Sequence, residues 1–72
     1  MKELIQGIKT HAQANYNSNG WDMVYECFED HEIQKVLEEN KLTTLPEAIV
    51  YFERNIAKPY ADRRKDVEAE IF

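Results

Sequence analysis

Seven carboxylates, Asp22, Glu26, Glu29, Asp30, Glu32, Glu38 and Glu39, fall within one stretch that holds a single lysine, Lys35, so that stretch carries a formal charge of −6 in a chain whose total is −5. Carboxylates this close can do two kinds of chemistry. They can raise one another's pKa and so poise a general acid, which requires that they share a cleft. Otherwise they stay ionised on a solvated surface, where they repel phosphate and lipid headgroups and attract basic protein surfaces.

Cys27 and His31 sit in the same stretch, four residues apart. On a continuous helix that spacing brings a thiolate and an imidazole to one metal ion. A structural zinc needs four ligands, though, and the chain adds only His11 and carboxylates, without a Cys-x-x-Cys or paired-histidine pattern. As a nucleophilic dyad the pair is weaker, because neighbouring acids favour the unreactive thiol. Packing as a small buried side chain is the expected role of Cys27, and no cofactor or metal is expected. Gly-rich phosphate loops, Gly-x-Ser-x-Gly elbows and His-Glu-x-x-His are absent from the sequence, which argues against an enzyme.

The basic cluster Arg63-Arg64-Lys65 is the only run that could contact DNA. Asp62 and Asp66 flank it, and phosphate contacts dominate affinity for nucleic acid, so surface ion pairing is the better reading and nucleic acid is not the expected partner. Trp21 and Tyr25 have the spacing of core aromatics, whereas Tyr51 lies off the Leu45 stripe and Phe72 is the last residue of the sequence, so both are candidates for exposure and partner contact.

These residues need elements to hold them. With 72 residues the chain is read as a single domain, 1–72, able to bury about 60% of the surface its unfolded form exposes. One cysteine cannot form an internal disulfide, and the first residues lack the apolar core of a secretory signal, so a cytoplasmic location is expected. The longest apolar run, Ala48 to Phe52, is far short of the roughly 20 residues that cross a bilayer, and no membrane contact is expected.

Periodicity indicates an all-α fold, a small bundle of four or five helices. Leu4, Ile5, Ile8, Ala12 and Tyr16 line one face of a helix over about 2–16, which Gly7 weakens without ending it. The run Asn15-Tyr16-Asn17-Ser18-Asn19-Gly20 predicts a turn. Asn19 is then expected to cap a short helix with a Trp21, Val24, Tyr25, Phe28 stripe. Ile33, Val36 and Leu37 fall off that stripe if the helix continues, so a new start is expected at Asp30, with a stop at Asn40-Lys41. Thr44-Leu45-Pro46-Glu47 has the pattern of a capping box with proline in the first turn. Leu45, Ala48, Ile49, Phe52 and Ile56 follow at helical spacing. Pro59 removes an amide and clashes with the preceding turn, so the C-terminal helix is expected to be kinked or broken there before Tyr60, Arg64, Val67 and Ile71 resume the pattern.

Asn19-Gly-Trp-Asp-x-Val-x-Glu26, then Glu32-Ile33, then the T-x-x-E-A-I block from Thr44 to Ile49, resemble small uncharacterised helical proteins encoded by bacteriophages and by bacteria that carry phage genes. The likeness covers most of the chain from His11 onward. It implies a small accessory or regulatory protein of a bacterial cytoplasm and carries no site residues with it. The function expected is noncatalytic: a helical interaction module presenting Asp22, Glu26, Glu29, Asp30, Glu32, Glu38 and Glu39 to a basic protein partner. An acid–base or metal-assisted enzyme using Glu26, His31 and Cys27, and DNA binding through Arg63, Arg64 and Lys65, are the alternatives. A homodimer formed by pairing of the C-terminal helix is the expected oligomer.

Overall fold

The computed structural model describes the backbone of residues 1–71 and the side chains of residues 1–64; the predicted contributions of Lys65, Val67, Ile71 and Phe72 lie outside the described side chains. Among the described residues all regular structure is helical. In chain order the elements are α1 (Lys2–Ala14), α2 (Trp21–Cys27), α3 (Asp30–Glu39), α4 (Leu45–Phe52), a π turn (Glu53–Ala57) and α5 (Lys58–Ile71). No described helix is long and apolar enough to cross a membrane.

The predicted stripes of the first four helices contribute to one buried cluster: Ile5, Ile8 and Ala12 from α1, Trp21 and Val24 from α2, Ile33 and Leu37 from α3, and Ala48 and Phe52 from α4, joined by Ala57 from the π turn. Leu4, Phe28, Val36, Leu42, Leu45, Ile49 and Ile56 pack against it, half-buried. Phe28 meets Phe52 edge to face at 5.8 Å, so it serves the core although it stands beyond the end of α2. Three tyrosines of the predicted stripes face outward: Tyr16 in the turn after α1, Tyr25 on the outer side of α2 and Tyr60 near the start of α5 are all exposed.

The helix boundaries differ from expectation in how they are made. Asn19 does not cap α2. It and Gly20 both have positive φ, 50° and 80°, and Gly20 is the N-cap residue. Gly20 is also buried, and a Cβ there would stand 2.1 Å from the Ala57 carbonyl oxygen, so the turn between α1 and α2 rests backbone to backbone on the π turn. Asp30 is not a cap either: Glu29 takes that position in a capping box with Glu32, whose Oε1 accepts the Glu29 amide at 3.2 Å. At α4 the start at Thr44 is as expected, and the Ala48 amide donates to the Thr44 carbonyl at 3.1 Å, but no side-chain cap bond forms there. Glutamate therefore makes the box at α3, and the Thr-Glu pair does not make one at α4.

Helix α3 stops as Asn40-Lys41 suggested. The Lys41 amide donates to Glu38 at 3.3 Å and the Leu42 amide to Leu37 at 2.9 Å, the paired bonds of a Schellman closure. Lys41 therefore has a φ of 54°, a conformation that glycine adopts at no steric cost.

Pro59 is the second residue of α5. Just before it the Lys58 amide donates to the Glu53 carbonyl, five residues back, the wide turn of a π-helix. Proline in an α-helix clashes with the carbonyl four residues earlier, and opening the turn one residue upstream relieves that crowding. Asn55, in the same widened turn, donates its Nδ2 to the Tyr51 carbonyl of α4 at 3.1 Å.

Gly7 has a tertiary role beyond weakening its helix. A Cβ on it would meet the Leu45 side chain at 2.7 Å, so the absent side chain lets α1 approach α4.

Candidate functional site

The seven carboxylates are carried by α2, the α2–α3 link and α3, and the helix geometry separates them. At about 100° per residue, Ile33 and Leu37 point to the core and Lys35 points directly away. Glu32 and Glu39 then fall on one flank of α3 and Glu38 on the other, while Asp30, in the first turn, falls on the side of Leu37. All but Asp22 are exposed; Asp22 is partly sheltered.

Three of the seven meet a cation. Lys9 donates to Asp30 at 2.6 Å, and that hydrogen bond holds the lysine pKa above its ordinary value. Arg64 Nη1 donates to Asp22 Oδ2 at 3.3 Å across 42 positions of chain. Lys35 approaches Glu39 at 3.9 Å one turn along α3. The other four meet groups that leave their charge in place. Tyr16 donates its hydroxyl to Glu26, Glu32 accepts the Glu29 backbone amide, and Gln34 donates to Glu38 at 2.9 Å. Glu29 faces the His31 imidazole at 3.5 Å. Adding Lys9 and Arg64 to the segment's −6 still leaves −4 on the segment and its two partners taken together.

Sequence spacing suggested Cys27 with His31, and His11 besides, as metal or nucleophilic groups. The break at Phe28-Glu29 places Cys27 and His31 on different helices, and Cys27 is exposed, not packed in the core. His11 stands edge to face against Trp21, ring centroids 4.5 Å apart, and the neighbouring Asn15 Nδ2 donates to the His11 carbonyl at 2.9 Å. Among the described residues, the donors that come within 4.8 Å of one another are Glu29, His31 and Glu32. Two of these form the capping box, and they stand at the positive end of the α3 dipole, which opposes a cation.

Of the DNA candidates, Arg64 turns back to Asp22, Arg63 is exposed on α5, and Lys65 lies outside the described side chains. Tyr51 is half-buried and packs edge-on to Phe52 at 6.5 Å.

A cleft that sequence reading missed opens between the turn at 15–20 and α5. Its volume is about 490 Å³, and Tyr16, Asn19, Asp22, Tyr60 and Arg64 are among its walls. The hydrogen bond to Glu26, with burial second, raises the Tyr16 pKa, and the Tyr16 ring meets Tyr25 edge to face at 5.9 Å. Tyr60 and Arg64, four apart, were legible as helix neighbours. Their meeting with Asp22 was not, since it depends on where the π turn aims α5.

Compared with family models, curated proteins and solved structures, the chain matches none.

Proposed function

We propose that this protein is a noncatalytic helical interaction module that docks a basic protein partner on its acidic side. The observation that carries the reading is that Glu26, Glu29, Glu32 and Glu38, all exposed, have hydroxyl, imidazole, backbone-amide and carboxamide neighbours and no lysine or arginine partner among the described residues. Unpaired surface carboxylates of this density steer a cationic surface toward the molecule and set the on-rate and its salt dependence. The exposed tyrosines 16, 25 and 60 supply amphipathic contact area beside them.

We also infer that the chain forms one bundle of four or five helices, with its C-terminal helix bent at the widened turn before Pro59, and that it self-associates through that helix. Residual dipolar couplings along residues 45–71 measure the bend, and sedimentation measures the association.

The functional test is a comparison of baits. The wild-type chain and a variant with Glu26, Glu29, Glu32 and Glu38 all changed to glutamine are used to capture proteins from bacterial lysate at low and high salt. Glutamine keeps the acceptor oxygen that the α3 cap needs. Basic proteins held by the wild type at low salt, released at high salt and lost from the variant are the expected result. The same proteins on both baits, or no enrichment of basic ones, overturns the reading.

A further inference from the structure

We propose that the cleft between the 15–20 turn and α5 seats one arginine side chain of the partner on Asp22, and that Arg64 is an internal competitor holding that place until the partner arrives. The inference rests on the reading of the protein as a module for basic partners and adds which group is recognised, and where.

Asp22 differs from the other six acids in being partly sheltered, with its side chain 28% exposed, so salt screens it less. It already takes a guanidinium. That bond is a single contact at 3.3 Å, whereas a charge-assisted fork places two at about 2.7–2.9 Å. Arg64 reaches it from a helix whose direction is set by the π turn, and its side chain is 56% exposed. An arginine arriving from solvent is not bound by that geometry and can present both nitrogens to the carboxylate.

The walls suit a flat cation. Tyr16 and Tyr60 are among the residues that line the cleft, phenol rings attract cations, and Tyr16, by donating its hydroxyl to Glu26, gains electron density that strengthens this attraction. Glu26 adds a second negative charge one turn along α2. Arginine is favoured over lysine because a planar guanidinium both stacks on phenol rings and forks a carboxylate.

Competition fixes the sign of the test. An exposed ion pair favours its closed form over the open one by roughly two- to fivefold, and apparent affinity falls by the fraction closed, so removing Arg64 tightens binding by about the same factor. Binding of a fluorescent hexa-arginine peptide is measured by anisotropy at 20 mM salt to the wild type, Arg64→Ala, Arg63→Ala, Asp22→Asn, Glu38→Gln and the four-glutamine variant. Unchanged emission from buried Trp21 reports that each is folded.

Arg63→Ala makes the same charge change one position away from the cleft, so the expected result is a gain for Arg64→Ala beyond that for Arg63→Ala. Asp22→Asn weakens binding more than Glu38→Gln does, and hexa-lysine shows a smaller gain on removal of Arg64. Equal effects of the two alanine variants, or a loss with Arg64→Ala, overturn the competitor assignment. If that happens while the four-glutamine variant still binds weakly, the acidic-module reading stands and this inference alone falls. If the four-glutamine variant binds like the wild type, or no variant binds the peptide, both fall.

Discussion

Replacing Gly20 by alanine should cost this protein a large part of its stability, and the size of the loss follows from two separate effects. At φ 80° an L-residue pays about 1–2 kcal/mol for the left-handed conformation. A Cβ placed 2.1 Å from the Ala57 carbonyl oxygen adds overpacking, roughly 1–3 kcal/mol or more, because the obstacle is backbone and cannot rotate away. The sum, about 2–5 kcal/mol, is set against a total of about 4–11 kcal/mol for 72 residues at typical stability per residue. Urea unfolding followed by Trp21 fluorescence is a suitable assay, since Trp21 adjoins Gly20 and is 1% exposed when folded. With a slope near 1 kcal/mol per molar urea, the midpoint should fall by about 2 M or more. Gly7→Ala is the matched control. Its Cβ would meet the movable end of Leu45, and alanine gains up to about 1 kcal/mol of helix propensity, so its midpoint should stay within about 1 M of wild type. Gly20→Ala unfolding within 0.5 M of wild type, roughly half a kcal/mol, would refute the close approach between the turn and the π segment.

Three further outcomes follow from the boundaries and contacts. Lys41→Gly removes the left-handed strain at the Schellman closure and should stabilise by about 0.5–1 kcal/mol after the added chain entropy of glycine, raising Tm by several degrees in calorimetry. Glu32→Ala should cost about 0.5–1 kcal/mol through loss of the α3 cap, whereas Glu47→Ala should be near neutral, because the box legible in the sequence at α4 is not made; chemical denaturation of the two variants side by side decides it. Tyr16 has a raised pKa through its bond to Glu26, so its stabilising contribution is complete below the unfolded tyrosine value, about 10, and disappears as pH rises through the higher folded value. The stability advantage of wild type over Tyr16→Phe should therefore be flat from pH 7 to 9 and vanish in strong alkali; an advantage unchanged at alkaline pH contradicts the bond.

Much of the helical layout was legible because apolar side chains that recur at both three- and four-residue spacing share one face of a helix, whereas on a strand residues three apart point to opposite faces. Ile5-Ile8-Ala12, Trp21-Val24, Ile33-Leu37 and Ala48-Phe52 were visible as stripes, and each lies in the core. The turn at 15–20, the stop at Asn40-Lys41 and the start after Thr44 were legible for the same kind of local reason, the conformational habits of Asn, Gly and Pro. The caps were not. Whether Thr44 or Glu29 bonds an amide depends on angles set when the neighbouring helices pack, and spacing alone does not contain them.

The candidate site divides along the same line. The sequence by itself determined that seven acids crowd one stretch, since charge is a property of composition and survives any folding. Which of them stay uncompensated was decided by tertiary structure. Lys9 reaches Asp30 because α1 lies beside α3, and Arg64 reaches Asp22 because the π turn before Pro59 and the bare Cα of Gly20 bring the start of α5 against the turn that opens α2. Cys27 and His31 look like neighbours at four-residue spacing and are parted by a helix break. Local periodicity settles which face of a helix a residue occupies; the pairing of residues 21 or 42 positions apart arises only when the core has chosen how the helices stack.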